Sequence, residues 1–295
     1  MPQTEANGIQ IEYEDYGDRD DPTILLIMGL GAQLTLWPIE LVEALVARGF
    51  RVIRYDNRDI GLSHKFEGVK APGMLKLVLL SRFGIKPRVP YTLSDMAADA
   101  VGLLDALGIE RAHIVGGSMG GMIAQLVAVE YPERVLSLTS IMSTTGNPKL
   151  PPAQKEAFAV LTKRPPPATD EEALVAHGMN VARTIGGPGY PADEGELRER
   201  VLAGIHRSFY PAGPPRQIAA IVADGDRRAR LARITAPTLV IHGEDDPLVR
   251  LEGGKDTAAA IPGARLETIP GMGHNLPTQL TDTLADLIAD HAKAA

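Results

Sequence analysis

The chain has 295 residues, of which 44% are hydrophobic and 23% are charged, a composition that excludes disordered and fibrous proteins. Its net charge of −7 argues against nucleic-acid binding and against docking on anionic membranes, since both use basic surfaces. Because cysteine is absent, disulfide frameworks, thiolate nucleophiles and cysteine-based metal sites are excluded as well.

The first fifteen residues are polar and acidic, without the basic start and apolar stretch that a secretory signal shows. No apolar run in the chain reaches the roughly 18 residues that a membrane-spanning helix needs. We therefore predict a cytoplasmic protein without a membrane anchor.

The first predicted elements are two strands, a helix and a third strand. Residues Ile9–Tyr16 alternate apolar and polar side chains, as in a half-exposed strand at the edge of a sheet. Thr23–Met28 is continuously apolar, which is typical of a strand covered on both faces. A helix is predicted over Pro38–Arg48 and the next strand over Arg51–Tyr55.

The same alternation continues towards the middle of the chain. Tyr91–Leu107 is predicted to be a helix with Thr92 as its N-cap. A buried strand over Ala112–Gly117, a helix over Met122–Tyr131 and a strand over Val135–Met142 follow. Strands that alternate with helices at this spacing favour a parallel sheet with helices on both faces.

The alternation stops at residue 144 and resumes after residue 233. The intervening segment is rich in Pro and Gly and contains three predicted helices. It is interpreted as a helical cap inserted between two strands, over the sheet edge where α/β proteins bind ligands. The predicted organisation is therefore a first core part over 1–143, a cap over 144–233 and a second core part over 234–295.

The predicted elements after residue 143 are helices over Pro152–Thr162, Glu171–Ile185 and Glu194–Ser208, then strand Thr238–His242, helix Glu252–Ala260, strand Arg265–Ile269 and a closing helix over Pro277–His291.

A Gly-x-Ser-x-Gly motif, with Ser118 at its centre, lies between a predicted strand and a predicted helix. A bare motif of this kind also occurs in tight turns, but this context favours a nucleophile elbow, a strained strand-to-helix turn that presents its serine above the sheet. Gly116 and Gly120 meet the elbow's demand for small flanking residues. We predict Ser118 to be a nucleophile.

A serine hydroxyl attacks a carbonyl group only when a general base takes its proton and a carboxylate orients that base. His274 ends a glycine-rich turn after a predicted strand and is the predicted base. The loop after the preceding strand supplies Glu244, Asp245 and Asp246. Asp246 is the predicted acid because it precedes Pro247, which favours extended geometry, and lies furthest from the strand. Asp245 is the alternative, and Glu244 is expected to face solvent or cap the loop.

Acyl transfer also needs backbone N–H groups that hold the developing oxyanion. Met119 follows the nucleophile at a helix N-terminus and is one predicted donor. Leu30, between Gly29 and Gly31 in the loop after the second strand, is the other.

These motifs resemble the α/β-hydrolase superfamily over nearly the whole chain. The Met28-Gly29 pair and the Ile-Pro-Gly-Met-Gly-His segment ending at His274 are most similar to aclacinomycin methylesterases and non-haem haloperoxidase-like carboxylesterases. The resemblance implies an α/β-hydrolase fold: an eight-stranded, mostly parallel sheet wrapped by helices, with a helical cap inserted after the sixth strand.

The segment from Arg54 to Ser63 resembles the Asp-x-Arg-Gly-x-Gly-x-Ser loop of the same superfamily, although Asp59 replaces the common Gly. Asp56 and Arg58 are expected to tie this loop down by ion pairs and hydrogen bonds.

The remaining histidines show no metal-ligand spacing, so neither a metal nor another cofactor is expected. His113 and His242 are expected to be structural, because they lie on core strands. Trp37 follows the oxyanion loop and is a candidate for the substrate pocket, with core packing as the alternative. His206 is a candidate for the pocket from the cap.

The sequence thus predicts a serine hydrolase that cleaves a small-molecule carboxylic ester through an acyl-enzyme, with the oligomeric state open and a homodimer among the options. One alternative is cleavage of amides or N-terminal proline, which needs an acid of the cap to bind the substrate amine. A second is perhydrolysis on the same triad, and a third is a non-catalytic hydrolase-fold binding protein. The acids of the cap considered for the first alternative are Glu171, Glu172, Asp193 and Glu194.

Overall fold

A computed structural model of the protein describes residues 2–73, 76, 77, 79, 80 and 85–295. Eight strands of these residues form one sheet: β1 (Gln3–Ala6), β2 (Ile9–Tyr16), β3 (Thr23–Ile27), β4 (Arg51–Tyr55), β5 (Ala112–Gly117), β6 (Val135–Ile141), β7 (Thr238–Gly243) and β8 (Arg265–Ile269). The spatial order is β1-β2-β4-β3-β5-β6-β7-β8. Strand β2 pairs antiparallel with β1 and β4, and the other neighbours are parallel. The predicted mostly parallel sheet is confirmed.

Helices cover both faces of this sheet. The described α-helices are α1 (Ile39–Ala47), α2 (Leu93–Ala106), α3 (Met119–Glu130), α4 (Lys155–Thr162), α5 (Glu171–Ile185), α6 (Glu194–Arg207), α7 (Gly213–Asp224), α8 (Arg228–Leu231), α9 (Leu251–Ala260) and α10 (Thr281–Lys293). Within the described parts of the chain, no helix has both the length and the apolar character that spanning a bilayer requires.

The core lies in two layers, one on each side of the sheet. Because side chains alternate along a strand, Leu25 and Ile27 of β3 pack with α2 and α3, whereas Ile24 and Leu26 pack with α1 and α10. Each fully buried Leu or Ile contributes about 1.5–3 kcal/mol relative to an exposed one. The parallel strands end at one common edge, which brings their C-terminal loops together.

The predicted edge position of β2 is wrong, because β1 pairs with its outer side. Strand β1 is short, and its largely polar residues lack the pattern that predicts a strand. The N-cap predicted at Thr92 is present: its side chain accepts from the Asp95 amide, and the Asp95 carboxylate accepts from the Thr92 amide in return.

Helices α4 to α8 lie between β6 and β7, within the segment predicted to form the cap. Helix α7 was not among the predicted helices, because its first residues, Gly213, Pro214 and Pro215, are typical helix breakers. Proline is nevertheless tolerated in the first turn of a helix, where backbone N–H groups have no partner within the helix. The boundaries at residues 144 and 233 stay a prediction.

Candidate active site

Ser118 lies at the sharp turn between β5 and α3. Its backbone has φ 57° and ψ −121°, outside the regions that non-glycine residues favour, at a cost of about 1–3 kcal/mol. The turn closes this tightly because side chains are missing on both sides: a Cβ on Gly116 would overlap the Gly120 carbonyl, and one on Gly120 would overlap the Ile27 carbonyl. The local geometry is that of the predicted elbow.

The structure brings the three predicted residues, Ser118, His274 and Asp246, into one hydrogen-bonded chain. The His274 Nδ1 lies 2.7 Å from Asp246 Oδ2, and His274 Nε2 lies 2.9 Å from Ser118 Oγ. A carboxylate only accepts, so the Nδ1–H donates to Asp246 and Nε2 is free to accept from the serine hydroxyl. His274 and Asp246 are buried, while Ser118 is partly exposed. This arrangement can take a proton from the serine.

Of the three neighbouring acids, Asp246 is the one that reaches His274. Its other oxygen, Oδ1, accepts from the Leu248 and Val249 amides, each at 2.8 Å, which fixes the carboxylate plane. Asp245 instead accepts from the Gly271 amide at 3.0 Å and so ties the acid loop to the histidine turn. Glu244 is exposed and accepts from the Thr268 hydroxyl.

His242, at the end of β7, supports the acid loop from below. Its Nε2–H donates to the Val249 carbonyl at 2.7 Å, and the same nitrogen lies 3.6 Å from Asp246 Oδ2. Burial lowers the pKa of His242, although the Val249 carbonyl and the Asp246 charge oppose this. Burial therefore favours the neutral ring, whose Nε2–H holds the acid loop through the Val249 carbonyl.

The two predicted oxyanion donors flank the serine. Met119 begins α3, so its amide lies at the positive end of a helix dipole. A Cβ on Gly29 would lie 3.0 Å from Ser118 Cβ, which places the adjacent Leu30 beside the nucleophile. Within the described residues, neither the Leu30 nor the Met119 amide donates to a protein acceptor. Both N–H groups are thus available to a substrate oxygen.

The inserted helices contact the histidine turn through the backbone. The His274 amide donates to the Ile185 carbonyl at the end of α5, at 2.7 Å, and the Gly189 amide donates to the Gly271 carbonyl at 2.9 Å. The two chains approach so closely that a Cβ on Gly187 would overlap the backbone around Gly273. The turn that carries the candidate base is therefore held partly by the inserted segment.

The loop after β4 is fixed by carboxylates, in agreement with the expectation for Asp56 and Arg58. Asp56 is fully buried and accepts from the Leu34 and Leu62 amides at 2.7 and 2.8 Å. The Arg58 guanidinium donates two hydrogen bonds to Asp99 of α2, each at 2.6 Å. This loop lies next to the oxyanion loop, so its rigidity supports the site.

The same loop anchors the inserted helices through two buried ion pairs. Arg207 of α6 donates to Asp56 at 2.7 Å, and Arg216 of α7 donates twice to Asp59, at 2.7 and 2.8 Å. Asp59 adopts φ 70°, which explains why glycine is common at this position. Burial alone would raise the pKa of Asp59, but hydrogen bonds, first among them those from Arg216, lower it. The departure from glycine thus supplies a partner for α7.

The two residues predicted as candidates for the substrate pocket, Trp37 and His206, lie in the core and on the surface, respectively. Trp37 is fully buried in the core layer of α1 and α10, with the edge of its ring against Gly117. It therefore supports the strand below the elbow, which is the core-packing alternative. His206 lies on the solvent side of α6, where its Nε2 is 2.6 Å from the Glu171 carboxylate. With 58% of its side chain exposed, it forms a surface pair, and its role in a substrate pocket stays a prediction.

Three side chains at the site were missed from the sequence. The Ser143 hydroxyl donates to the Ser118 carbonyl at 2.8 Å, and Gln217 accepts from the Gly31 amide. Arg216 is the third. Only Arg216 had a signal in the sequence, since an acid at position 59 in place of glycine calls for a cationic partner. Across the described residues, no cluster of three or more His, Asp or Glu side chains is arranged to hold a metal ion.

Known proteins place this fold and site in a family. Residues 22–177 match the alpha/beta hydrolase fold family. The chain belongs to this family. It is 33% identical to the rhodomycin D methylesterase of Streptomyces peucetius over 300 residues, which cover 96% of this chain and 94% of the relative. It is 26% identical to 3-oxoadipate enol-lactonase 2 of Acinetobacter baylyi, over 90% of this chain and 86% of that one.

A solved structure with the same fold is the meta-cleavage product hydrolase of Pseudomonas fluorescens IP01. It superposes with a TM-score of 0.78, is 22% identical, and covers all of this chain and 98% of that one. At this identity the likeness shows the fold alone. The family match confirms the resemblance to the α/β-hydrolase superfamily. The methylesterase and enol-lactonase relatives confirm the predicted enzyme class, a carboxylic ester hydrolase.

Proposed function

We propose that the protein hydrolyses a small-molecule carboxylic ester through a covalent acyl-enzyme on Ser118. The observation that carries this proposal is the continuous chain from Ser118 Oγ through His274 to Asp246, with distances of 2.9 and 2.7 Å. Both contacts are within the range that proton transfer and orientation of the base require.

In the first half of the reaction, Ser118 Oγ attacks the ester carbonyl while its proton passes to His274 Nε2. The carbonyl oxygen becomes an oxyanion, which the Leu30 and Met119 N–H groups stabilise at about 3 kcal/mol per donor. When the tetrahedral intermediate collapses, the carbon–oxygen bond to the alcohol breaks and His274 gives its proton to that alcohol. Asp246 stabilises the imidazolium throughout.

In the second half, a water molecule replaces the alcohol. His274 takes a proton from the water, the resulting hydroxide attacks the acyl carbonyl, and the same N–H groups hold the oxyanion. Collapse returns the proton to Ser118 Oγ and releases the carboxylic acid. The three side chains and the two backbone N–H groups account for every proton transfer and for both oxyanions.

Methyl esters of bulky acids are the proposed substrate class. The support is the 33% identity with a rhodomycin D methylesterase over nearly the full length of both chains. Comparing kcat/KM for the methyl ester of a bulky aromatic acid with that for p-nitrophenyl acetate tests the preference. A higher value for the bulky methyl ester is expected, and the reverse order would reject this class.

The surroundings of the acids in the inserted helices disfavour the amide alternative. Glu171 pairs with His206 and Glu172 with Arg198, each at 2.6 Å, and the Glu194 carboxylate is bound by Arg183. These three acids and the helix-capping Asp193 are also exposed. A substrate amine would have to compete with these partners.

Replacing the nucleophile tests the reaction itself. We expect Ser118→Ala to reduce kcat for a p-nitrophenyl ester by about 10⁶-fold, the size of the loss when a triad serine is removed. Ser140→Ala is the matched control, because Ser140 is a buried serine on the neighbouring strand β6. Retained turnover in a folded Ser118→Ala protein would contradict the proposal. A fluorophosphonate probe should label Ser118 in the wild-type protein, whereas a non-catalytic binding protein would stay unlabelled.

A further inference from the structure

The oxyanion loop forms a tight turn over residues 29–32. The Ala32 amide donates to the Gly29 carbonyl at 3.3 Å, and Gly31 has φ +68° while Leu30 stays outside the left-handed region. These features define a type II turn, with Leu30 and Gly31 at its centre. The central peptide of such a turn can flip to the type I form, which changes ψ of the first central residue by about 150°.

Gln217 of α7 holds this central peptide from the side of the inserted helices. Its Oε1 accepts from the Gly31 amide at 2.9 Å, and its Nε2 donates to the Arg58 carbonyl at 3.0 Å. The side chain is fully buried, and both of its polar ends are occupied. Pro214, at the start of the same helix, lies 3.3 Å from where a Cβ on Gly31 would stand. A flipped peptide would turn the Leu30 carbonyl towards the Gln217 oxygen, where two acceptors would repel.

The helix that carries Gln217 is itself fixed. Arg216 is paired twice with Asp59, and Gly213 lies directly against the Asp59 carbonyl. Through its hydrogen bond to the Gly31 amide, Gln217 therefore joins this fixed helix to the turn that carries Leu30. The turn is held on one side by its own Gly29–Ala32 hydrogen bond and on the other by Gln217.

We propose that Gln217 is a positioning residue for ester hydrolysis: by binding the Gly31 amide it fixes the Leu30–Gly31 peptide, and so holds in place the turn from which the Leu30 N–H faces the oxyanion. The proposal rests on the proposed function. Because the Gly31 amide is already bound, Leu30 and not Gly31 supplies the donor of this loop. A preorganised donor stabilises the transition state without reorganisation, so loosening this turn should lower kcat more than substrate binding.

The test compares Gln217→Met with Ala220→Gly, a substitution at a buried residue of the same helix. Methionine has nearly the length of glutamine and tolerates burial, but it can bind neither the Gly31 amide nor the Arg58 carbonyl. For a p-nitrophenyl ester we expect kcat of Gln217→Met to fall about 10- to 100-fold, somewhat less than loss of a whole oxyanion donor. KM should stay within about twofold, since ground-state binding is unchanged. The Ki of a boronic acid, which forms a tetrahedral adduct with Ser118, should rise with the fall in kcat.

Ala220→Gly controls for loosening of the helix. It lowers the helix propensity of α7 and removes a buried methyl group from the core, so it should lower the melting temperature, yet it keeps the Gln217 side chain, its contact with Gly31 and the Arg216–Asp59 pair. Gln217→Glu keeps an oxygen that accepts from the Gly31 amide and should recover part of kcat. Hydrogen exchange of a peptide containing Gly31 should accelerate in Gln217→Met and stay slow in the wild type.

Wild-type kcat in Gln217→Met, or an equal fall of kcat in Ala220→Gly, would overturn the positioning role. Absence of ester turnover in the wild-type protein would instead overturn the proposed function as well. The two failures are distinguishable because the first leaves wild-type turnover and Ser118 labelling intact.

Discussion

The two sides of the candidate active site are held in different ways. On one side, Ser118 and Asp246 are fixed by the sheet and its own loops, through a sterically closed elbow and a turn whose amides bind the carboxylate. On the other, the turns of Leu30 and His274 are held by the inserted helices, through Gln217 and the Ile185 carbonyl. The difference teaches that the inserted helices help to hold the two turns that carry Leu30 and His274.

The largest expected effect is on the side held by the sheet. Gly120→Ala would place a methyl group inside the Ile27 carbonyl, and neither backbone can move without opening the elbow. We expect a loss of more than about 3 kcal/mol in the free energy of unfolding, with little folded protein, since overpacking against backbone is not relieved by side-chain movement. Expression yield and urea unfolding measure the effect.

Gly204→Ala is the matched control for that substitution. Gly204 is also helical, and a Cβ there would lie 3.9 Å from its nearest neighbour, an ordinary contact. Alanine favours a helix over glycine by about 1 kcal/mol, so this variant should gain stability. Similar unfolding curves for the two variants would show that the elbow does not depend on steric closure.

The next effect concerns the attachment of the inserted helices. Asp59→Asn removes one partner of the buried pair with Arg216 and leaves an uncompensated guanidinium, which costs about 3–5 kcal/mol in the free energy of unfolding. The double variant Asp59→Asn with Arg216→Met should recover part of that loss, because no buried charge remains unpaired. Urea unfolding of the single and double variants measures the coupling.

The exposed pair of Arg265 and Glu267 is the comparison for this measurement. Glu267→Gln should change the free energy of unfolding by less than about 1 kcal/mol. Equal losses for Asp59→Asn and Glu267→Gln would mean that the inserted helices are not anchored by the buried pair.

The smallest expected effect concerns His113, a buried residue of β5 away from both sides of the site. Its titration should change the free energy of unfolding at acid pH and leave it unchanged at neutral pH. Burial, with smaller contributions from His291 and Arg111, lowers the pKa of His113 to about 4. The unfolded chain therefore binds a proton near pH 6.5 that the folded chain refuses until about pH 4. As the pH is lowered from 6.5 to 4, the free energy of unfolding should decrease, by about 3 kcal/mol at pH 4. Above pH 6.5 this group should have no effect on stability.

His113→Asn removes this titration while keeping a polar group near the Ser137 hydroxyl, 2.8 Å from the wild-type ring. The slope of unfolding free energy against pH between 6.5 and 4 should become shallower, and kcat at pH 7.5 should stay unchanged. An unaltered slope would rule out His113 as a source of the acid sensitivity.

The sheet side was also the more predictable side. Strands β4, β5 and β8 have the predicted bounds. Strands β4 and β5 are buried along their whole length, whereas β8 is largely exposed at the edge of the sheet. Ser118, His274 and Asp246 were found because each stands at the end of a predicted strand, and the structure brings them together. Strand ends that meet at one edge place their loops side by side.

The cap side could not be predicted to the same depth. Gln217 has no motif around it, and its contact with Gly31 joins residues 186 positions apart. Helix α7 begins with residues that usually end a helix, and β1 lacks apolar alternation. Such features depend on long-range polar contacts, which local periodicity does not encode.

Gly187 and Gly189, where the inserted segment contacts the histidine turn, have a consequence for protein engineering. A Cβ on Gly187 or Gly189 would collide with the backbone near Gly271. A chimaera that exchanges the inserted helices for those of a relative, in order to change acyl preference, must therefore keep both glycines in register. Grafts that ignore this contact would displace His274, the proposed general base, even when every new helix folds correctly.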